Sequence, residues 1–424
     1  MVTLYDVARR AEVSIATVSR VLHGPGAVRA STRARVQAAI EELGYVPDGA
    51  AQSLARSRKD VIGLVCVEHT GLRANQYDIE SMSLLFYDEV TRGVEWRIRE
   101  RDWSLLITYL REDEVRNTAP REDEPILPRL LTLSGKVDGL ISGEGVVPSS
   151  ALAGLASRLP VVVVAGDTAL RGTDVVAADN WSGAHALVCH LIVEHGRRRL
   201  FHVDGPQTAP DATTRRLAMQ AVIEAQPGAI LAGVYNGRFS VRSGEIAAER
   251  MLADFGGAGS AGGDLPDAIV CANDQMAIGV LRTLAARSIR VPGDIAVVGF
   301  DDIYPATLCD PPLTTVRQPM RGIGERACDR LIELIADPGL RPEVELLPTE
   351  LVIRSSCGCP VGTVERRPVA PVAQPAAQAP ARPPAAARPP NGRQPPGRPP
   401  TGRNHLAKRP IVQDQTTNDP SKER

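Results

Sequence analysis

The chain is short of aromatic residues, long apolar runs and cysteines spaced for disulfides, and each shortage removes a class of protein. Phe, Trp and Tyr make up 4% of its 424 residues, so the core is left chiefly to aliphatic side chains. No stretch of about eighteen apolar residues occurs, so no membrane-spanning helix is expected. The opening Met-Val-Thr-Leu-Tyr-Asp-Val-Ala-Arg-Arg lacks the apolar centre of a secretory signal, so the chain is expected to stay in the cytoplasm. The seven cysteines are odd in number and scattered, poor material for a disulfide framework. Only Cys357 and Cys359 lie close together, and no second cysteine pair or histidine cluster adjoins them in sequence to complete a zinc site. They read as ordinary thiols ending the fold, and neither a metal nor a cofactor is expected. His185, His190 and His195 share one helical stretch and read as surface residues. No Gly-x-Gly-x-x-Gly follows a strand, no phosphate loop is present and no nucleophile elbow is evident, which argues against a nucleotide-dependent α/β enzyme.

What is present begins with the distribution of charge. The formal net charge is -1, but residues 1–60 carry nine basic against six acidic groups and residues 361–424 eleven against four. Ends at +3 and +7 leave the middle at -11. Basic ends on an acidic centre suit a chain whose ends meet a polyanion. The length suits two or three domains.

Residues 1–46 read as three short helices. Thr3 can cap the first, with Asp6 three positions on, and Leu4, Val7, Ala8 and Ala11 repeat at helical spacing. Ser14 can cap a second helix with Val18, Val21 and Leu22 inward, and Gly24-Pro25-Gly26 breaks the chain. Ser31 can cap a third, with Val36, Ile40 and Leu43 inward, ended by Gly44 and Pro47. Two helices on a tight turn, the second with short polar residues near its start, suit the major groove of DNA. Thr17 and Ser19 can reach phosphates or base edges, Arg20 can bond guanine bidentately, and Ile15 and Ala16 offer apolar contact to a thymine methyl. On spacing alone, a small protein-binding bundle remains open.

From Val61 to about Ser356, short β-rich runs alternate with helical stretches. Strands are expected at Val61–Val67, Ser104–Leu110, Val137–Ser142, Pro160–Ala165 and Val175–Ala178. A second set follows at Arg199–Val203, Ile230–Tyr235, Ala268–Ala272 and Ile295–Phe300, with Gly256–Gly263 as a surface loop. Apolar runs separated by helices imply parallel sheets covered on both faces, hence an α/β core of two doubly wound lobes around a cleft. After Pro360 the chain turns Pro/Ala/Arg-rich, a composition that cannot bury enough apolar surface to fold.

The segment from Val2 through Asp6-Val-Ala-Arg-Arg-Ala-Glu-Val-Ser-Ile-Ala-Thr-Val-Ser-Arg-Val-Leu-His-Gly24 resembles the head of the lactose-repressor (LacI/GalR) family. The likeness continues through Gly44-Tyr-Val-Pro47 and Ala51-Gln-Ser-Leu-Ala55. It implies that Ile15–Leu22 is a recognition helix, with Ile15 and Ala16 at positions that vary with operator sequence. Leu4, Tyr5, Ser19, Arg20, His23, Thr32 and Tyr45 fall on the family's DNA-contact positions, and Ser14, Thr17 and Ala51 complete the DNA-binding set. Asp48–Ser57 matches the family's hinge helix, and Leu54 the leucine that wedges into the minor groove; such a wedge unstacks a base step and bends the duplex. His23 and Asp48 both stand where the family usually has Asn.

The middle of the chain is similar to the same family at Arg92-Gly-Val-Glu95, Val137-Asp-Gly-Leu-Ile141, Asp179-Asn180, Cys271-Ala-Asn-Asp-Gln-Met-Ala277, Val298-Gly-Phe-Asp-Asp302 and Pro312-Leu-Thr-Thr-Val-Arg-Gln318. The resemblance implies a core like the periplasmic sugar-binding proteins, crossed between lobes near Ala178, Arg317 and Leu347, with an effector in the cleft. It places Arg215, Phe239, Asn273 and Asp301 in the pocket, with Met320 nearby and Phe86 pointing towards it. A carboxylate, an amide, an arginine fork and an aromatic face suit a polyol. Ala165 stands where many relatives have Asp, Met320 replaces a frequent aromatic, and both the 68–85 loop and the 117–125 insertion are atypical. A sugar is the expected effector, with a nucleoside or other non-sugar ligand, or a cytoplasmic solute-binding protein, as the alternative.

The expected organisation is a head over residues 1–47, a hinge over 48–59, a core over 60–358 and a disordered tail over 359–424. Lobe 1 takes about 60–178 and 318–346, lobe 2 about 179–317 and 347–358. The expected partners are a palindromic DNA operator, a small-molecule effector and a second copy of the chain. The resemblance makes the chain a repressor, not an enzyme. A tetramer is not expected, because a proline-rich tail cannot form leucine heptads.

Overall fold

The computed structural model describes residues 2–23, 28–46, 58–68, 85–111, 128–143, 145–166, 172–255 and 265–374. The hinge residues Ala51 and Leu54, the 69–84 loop, the 117–125 insertion and Gly256–Gly263 lie outside them.

The head has three helices: α1 (Leu4–Arg10), α2 (Ile15–His23) and α3 (Ala30–Leu43). The first begins with a capping box. Thr3 Oγ1 accepts from Asp6 N at 3.4 Å, and Asp6 Oδ2 accepts from Thr3 N at 3.0 Å. Glu12 turns the chain at φ 53, and Ser14 Oγ then caps α2 by accepting from Thr17 N at 3.2 Å. Ser31 is not the cap of α3. The helix starts earlier, from Arg29 without a side-chain cap, and Ser31 lies exposed in its first turn. Val7, Ala8, Ala11, Val18, Val36 and Ala39 are buried between the helices, flanked by Leu4, Leu22, Ile40, Leu43 and Tyr45.

Lobe 1 is one parallel sheet. β1 (Val61–Glu68), β2 (Ser104–Arg111), β3 (Gly139–Gly143), β4 (Val161–Val164) and β5 (Asp174–Ala178) occupy the expected runs. The helices between them are α4 (Leu85–Arg99), α5 (Pro128–Ser134) and α6 (Ser149–Ala156). Four consecutive valines in β4 are fully buried, as a parallel strand covered on both faces requires.

Lobe 2 opens with α7 (Asn180–Cys189), which runs into a π-helical turn, His190–Glu194. Then come β6 (Arg199–Asp204), α8 (Pro210–Ala225), β7 (Ile230–Asn236), α9 (Val241–Phe255), β8 (Ala268–Cys271), α10 (Asp274–Ala286) and β9 (Ala296–Val298). The sheet order is β7-β6-β8-β9, all parallel. The chain continues through β10 (Thr315–Arg317), α11 (Met320–Ala336), β11 (Val344–Leu347), β12 (Glu350–Ile353) and β13 (Glu365–Pro368).

β11 returns to lobe 1 and completes its order β11-β5-β4-β3-β1-β2. Thus the chain passes between lobes after β5, after β10 and after β11. α11 belongs to lobe 1, where its backbone touches that of α4. A Cβ on Gly93 would lie 2.1 Å from Arg321 O and one on Gly324 2.0 Å from Val90 O, so only glycine permits this approach.

Two further sequence expectations need correction. The tail does not begin at 359: β13 pairs antiparallel with β12, Val369 packs on the lobe 2 core, and Val372 N donates to Ser182 Oγ at 2.8 Å. β10, β12 and β13 form a small third sheet. Backbone pairing to β12 orders this segment although its side chains, Glu-Arg-Arg-Pro, offer no apolar face. His190 is not a surface residue either. It is buried, with Nε2 3.3 Å from Cys357 Sγ. Among the described residues, no helix is long and apolar enough to cross a membrane.

Candidate effector cleft and DNA-binding head

In the head, the helical period divides α2 into two faces. Val18 is buried and Val21 and Leu22 pack inward, while Ser14, Ile15, Ala16 and Arg20 are exposed and Thr17 and Ser19 half-buried. Tyr5, 71% exposed, is a large ring left in solvent on α1. Arg9 pairs with Asp6 and Arg10 with Glu42, whereas Arg20 has no carboxylate partner among the described residues and donates to Ala16 O at 3.1 Å. Leu4 and Tyr45 lean on the head core, so each has a packing role beside any contact with DNA. Thr32 is half-buried in the first turn of α3, and the His23 side chain lies outside the described residues.

Between the lobes lies a cavity of about 130 Å³. Lobe 1 contributes Phe86, Tyr87 and Ala165, lobe 2 Asp211, Arg215, Phe239, Asn273, Gln275 and Asp301, and the passage after β10 Gln318. Five of the six residues expected at the pocket are therefore brought together. Met320 is not among them; it starts α11 and is buried in the apolar core of lobe 2. Gln318, two residues earlier, faces the cavity instead.

The polar groups form one network. Arg215, 4% exposed, donates from Nε to Asn180 Oδ1 at 2.8 Å, from one terminal nitrogen to Ala272 O at 2.6 Å and from the other to Asp211 Oδ2 at 3.1 Å. Its guanidinium carbon lies 3.9 Å from the Phe300 ring centre. Three of its five N–H groups are thus committed within the protein, and its closest approach to Asp301 is 3.8 Å. Gln318 Nε2 donates to Asp301 Oδ1. Asn273 caps α10 by accepting from Met276 N at 3.0 Å, and its amide donates to Phe239 O at 3.2 Å.

Burial pushes the Asp301 carboxyl up to about 7, against the opposing pull of Arg215 and the Gln318 amide. Asp274, behind it, is held well above the usual carboxylate range by its own burial and by the charge of Asp301, although Thr315 Oγ1 donates to it at 2.6 Å. Asp302 turns away to Arg317 and Arg354. Ala165, Phe239 and Asp301 all hold positive φ, at 63°, 59° and 125°. Backbone strain of this kind, gathered around one cavity, is a mark of a ligand site. Asp211, Gln275 and Gln318 escaped the sequence reading, yet two of them had local signals: Asp211 precedes Arg215 by one helical turn, and Gln275 lies two residues from Asn273.

Comparison with known proteins adds two family matches. Residues 3–48 match the model of bacterial regulatory proteins of the lacI family, and residues 189–357 the periplasmic binding protein-like domain. The ribose operon repressor of Escherichia coli K12 is 31% identical over 360 residues, spanning 84% of this chain and 100% of that protein. Catabolite control protein A of Priestia megaterium is 30% identical, spanning 84% of this chain and 99% of its own length. Among solved structures, the lac repressor dimer bound to operator and the anti-inducer ONPF matches with a TM-score of 0.68 at 26% identity, covering 84% of this chain and 99% of that one. The chain belongs to the lacI family of bacterial DNA-binding transcription regulators, with a helix-turn-helix head and a periplasmic-binding-protein-like core.

Proposed function

We propose that the chain represses transcription as a homodimer on a palindromic operator, and that a neutral polyhydroxylated effector, a single sugar, bound in the cleft sets its affinity for DNA. The observation that carries the effector reading is the convergence of Asp301, Asn273, Gln318 and Arg215 with Phe86 and Phe239 on one small cavity between lobes. Amide and carboxylate groups bridge vicinal hydroxyls, and aromatic faces take the C–H side of a ring. Two carboxylates, Asp211 and Asp301, line the cavity against a single guanidinium that is already engaged. That balance disfavours an anionic ligand such as a sugar phosphate. In the head, the exposed face of α2 would enter the major groove, with Arg20 and Ser19 on base edges and phosphates and Tyr5 and Thr32 on the backbone. The reading assigns the chain binding and no catalysis.

A nucleoside is the second reading, favoured by the three aromatic rings and three side-chain amides around the cavity. Thermal-shift measurements on the full chain with pentoses, hexoses, their phosphates and nucleosides separate the two, because a ligand raises stability by mass action. A neutral sugar should raise Tm, and Asn273→Ala should abolish the rise. Stabilisation by nucleosides alone would establish the second reading, and stabilisation by sugar phosphates alone would sink both.

A further inference from the structure

Outside the cleft and the head, the fold brings together four metal-ligating side chains that are distant in sequence. His190 opens the π-helical turn after α7 and His195 follows that turn, and Cys357 and Cys359 follow β12. One donor atom from each lies within 4.8 Å of all the others. His190 Nε2 is 3.2 Å from His195 Nε2 and 3.3 Å from Cys357 Sγ, while Cys359 Sγ is 3.4 Å from His195 Nε2 and 3.9 Å from His190 Nε2. We propose that these four residues form a structural zinc site, Cys2His2, that pins the C-terminal segment to lobe 2.

Geometry is the first support. Zinc bonds of about 2.0–2.3 Å to imidazole nitrogen and thiolate imply tetrahedral edges of roughly 3.3–3.8 Å. The four separations above span nearly that range before any metal draws the ligands in. The backbone is shaped to the same end. Five residues apart on an α-helix, two side chains point about 140° apart. The π-helical turn His190–Glu194 inserts an extra residue and swings His195 onto the face of His190, a local distortion often found at functional sites. Gly358, at φ 122, lets both cysteines of the Cys-Gly-Cys run turn inward, and a Cβ there would press on the His195 ring at 3.1 Å.

Chemistry is the second support. Two imidazole Nε2 lone pairs facing each other at 3.2 Å need either a shared proton or a cation, and zinc satisfies both with the sulfurs. On binding, each thiol loses its proton to solvent and zinc(II) is neither oxidised nor reduced. Two thiolates then neutralise the ion, which suits the burial of His190 and Cys357. Nδ1 of His190 lies 3.1 Å from Glu194 Oε2, in the place where a carboxylate commonly orients a zinc-bound histidine. Glu194 in turn pairs with Arg367 of β13 at 2.7 Å, tying the ligands to the last strand. The mixed nitrogen and sulfur donor set favours zinc over magnesium, calcium or manganese. Cys359 lies beyond residues 189–357, the span matched by the domain model.

The full chain, purified without an affinity tag, with reductant and without chelator, should carry one zinc per chain by mass spectrometry of the metal. Cobalt(II) exchanged into it should show the intense visible bands of a tetrahedral site with thiolate charge transfer. Cys359→Ser and His195→Ala should each lower the zinc content below about a tenth and reduce Tm, whereas Cys189→Ser, at a thiol outside the cluster, should leave it at one. Chelation of the wild-type chain should open residues 359–374 to protease. Wild-type protein with less than about a tenth of a zinc after dialysis against the metal, or with Cys357 and Cys359 joined in a disulfide under reductant, would overturn the proposal whether or not the variants fold.

Discussion

At Asp301, burial, a guanidinium 3.8 Å away and an amide donor contend over one proton, and burial prevails, moving its ionisation from 3.8 to about 7. Folding therefore favours the protonated acid. The stability it contributes is complete below pH 3.8 and is lost as pH rises through about 7. Asp301→Asn, which cannot ionise, should raise Tm at pH 8 and flatten its fall between pH 4 and 7, as scanning calorimetry would show. Sugar hydroxyls that donate to the carboxylate favour its charged form, so effector affinity should rise through pH 7 in the wild-type chain. Calorimetric titration of the variant should find weaker binding with no such rise. Asp274 stays behind Asp301 in both proteins and keeps its own response, eased by the loss of a neighbouring charge.

In the head, Arg20 is exposed and free of acidic partners among the described residues, so its removal should spare the fold. A bidentate guanine contact is worth about 1–3 kcal/mol, a factor of roughly 5–150. Arg20→Ala should weaken operator binding by that factor in fluorescence anisotropy with Tm unchanged. Equal affinity would refute the placing of α2 in the groove. Residues such as Arg20 and Asp301 were legible because short runs of sequence carry them: a capped helix in one case, Gly-Phe-Asp-Asp in the other. Met320 was misplaced because Gln318 and Met320 lie two residues apart while the chain is leaving an extended strand for a helix, and no sequence period fixes which of them turns to the cavity.

At the scale of elements, strands announced themselves where both faces are covered. The four valines of β4 form a continuous apolar run because no face needs to be polar. β11 was invisible for the converse reason. It is a sheet edge whose residues alternate between exposed and half-buried, so Val-Glu-Leu-Leu looks like loop. β13 was hidden more deeply, because it buries no side chain and is held by backbone pairing and one surface ion pair. Its role can be tested by two truncations that both retain Cys359. A chain ending at Gln374 should match the full chain in Tm. One ending at Pro360 loses the pairs from Glu350↔Pro368 to Ile353↔Glu365, exposes the edge of β12 and frees Glu194 from Arg367. At about 1 kcal/mol for each backbone hydrogen bond, it should melt several degrees lower. Equal melting points would mean that β13 adds nothing to lobe 2.

At the scale of the whole molecule, three chain passages join the lobes and the cavity is lined from both, so a ligand that touches Phe86 and Asp301 at once has different contacts in open and closed arrangements. A ligand shifts such an equilibrium only by its difference in affinity for the two states. If the head reads one of those states, operator and effector must be coupled, and the coupling is reciprocal. Typical values of about 1–3 kcal/mol correspond to a change of roughly 5–150-fold in either affinity. The sugar that raises Tm should therefore change operator Kd by some factor, and saturating operator should change the Kd of that sugar by the same factor, with Asn273→Ala reducing both together. Operator affinity should also fall steeply with salt, because the head neutralises phosphates, whereas a neutral sugar's affinity for the bare chain should not. Unequal factors at one salt concentration would show that cleft and head do not share a single two-state equilibrium, and that the ligand acts on DNA binding by another route.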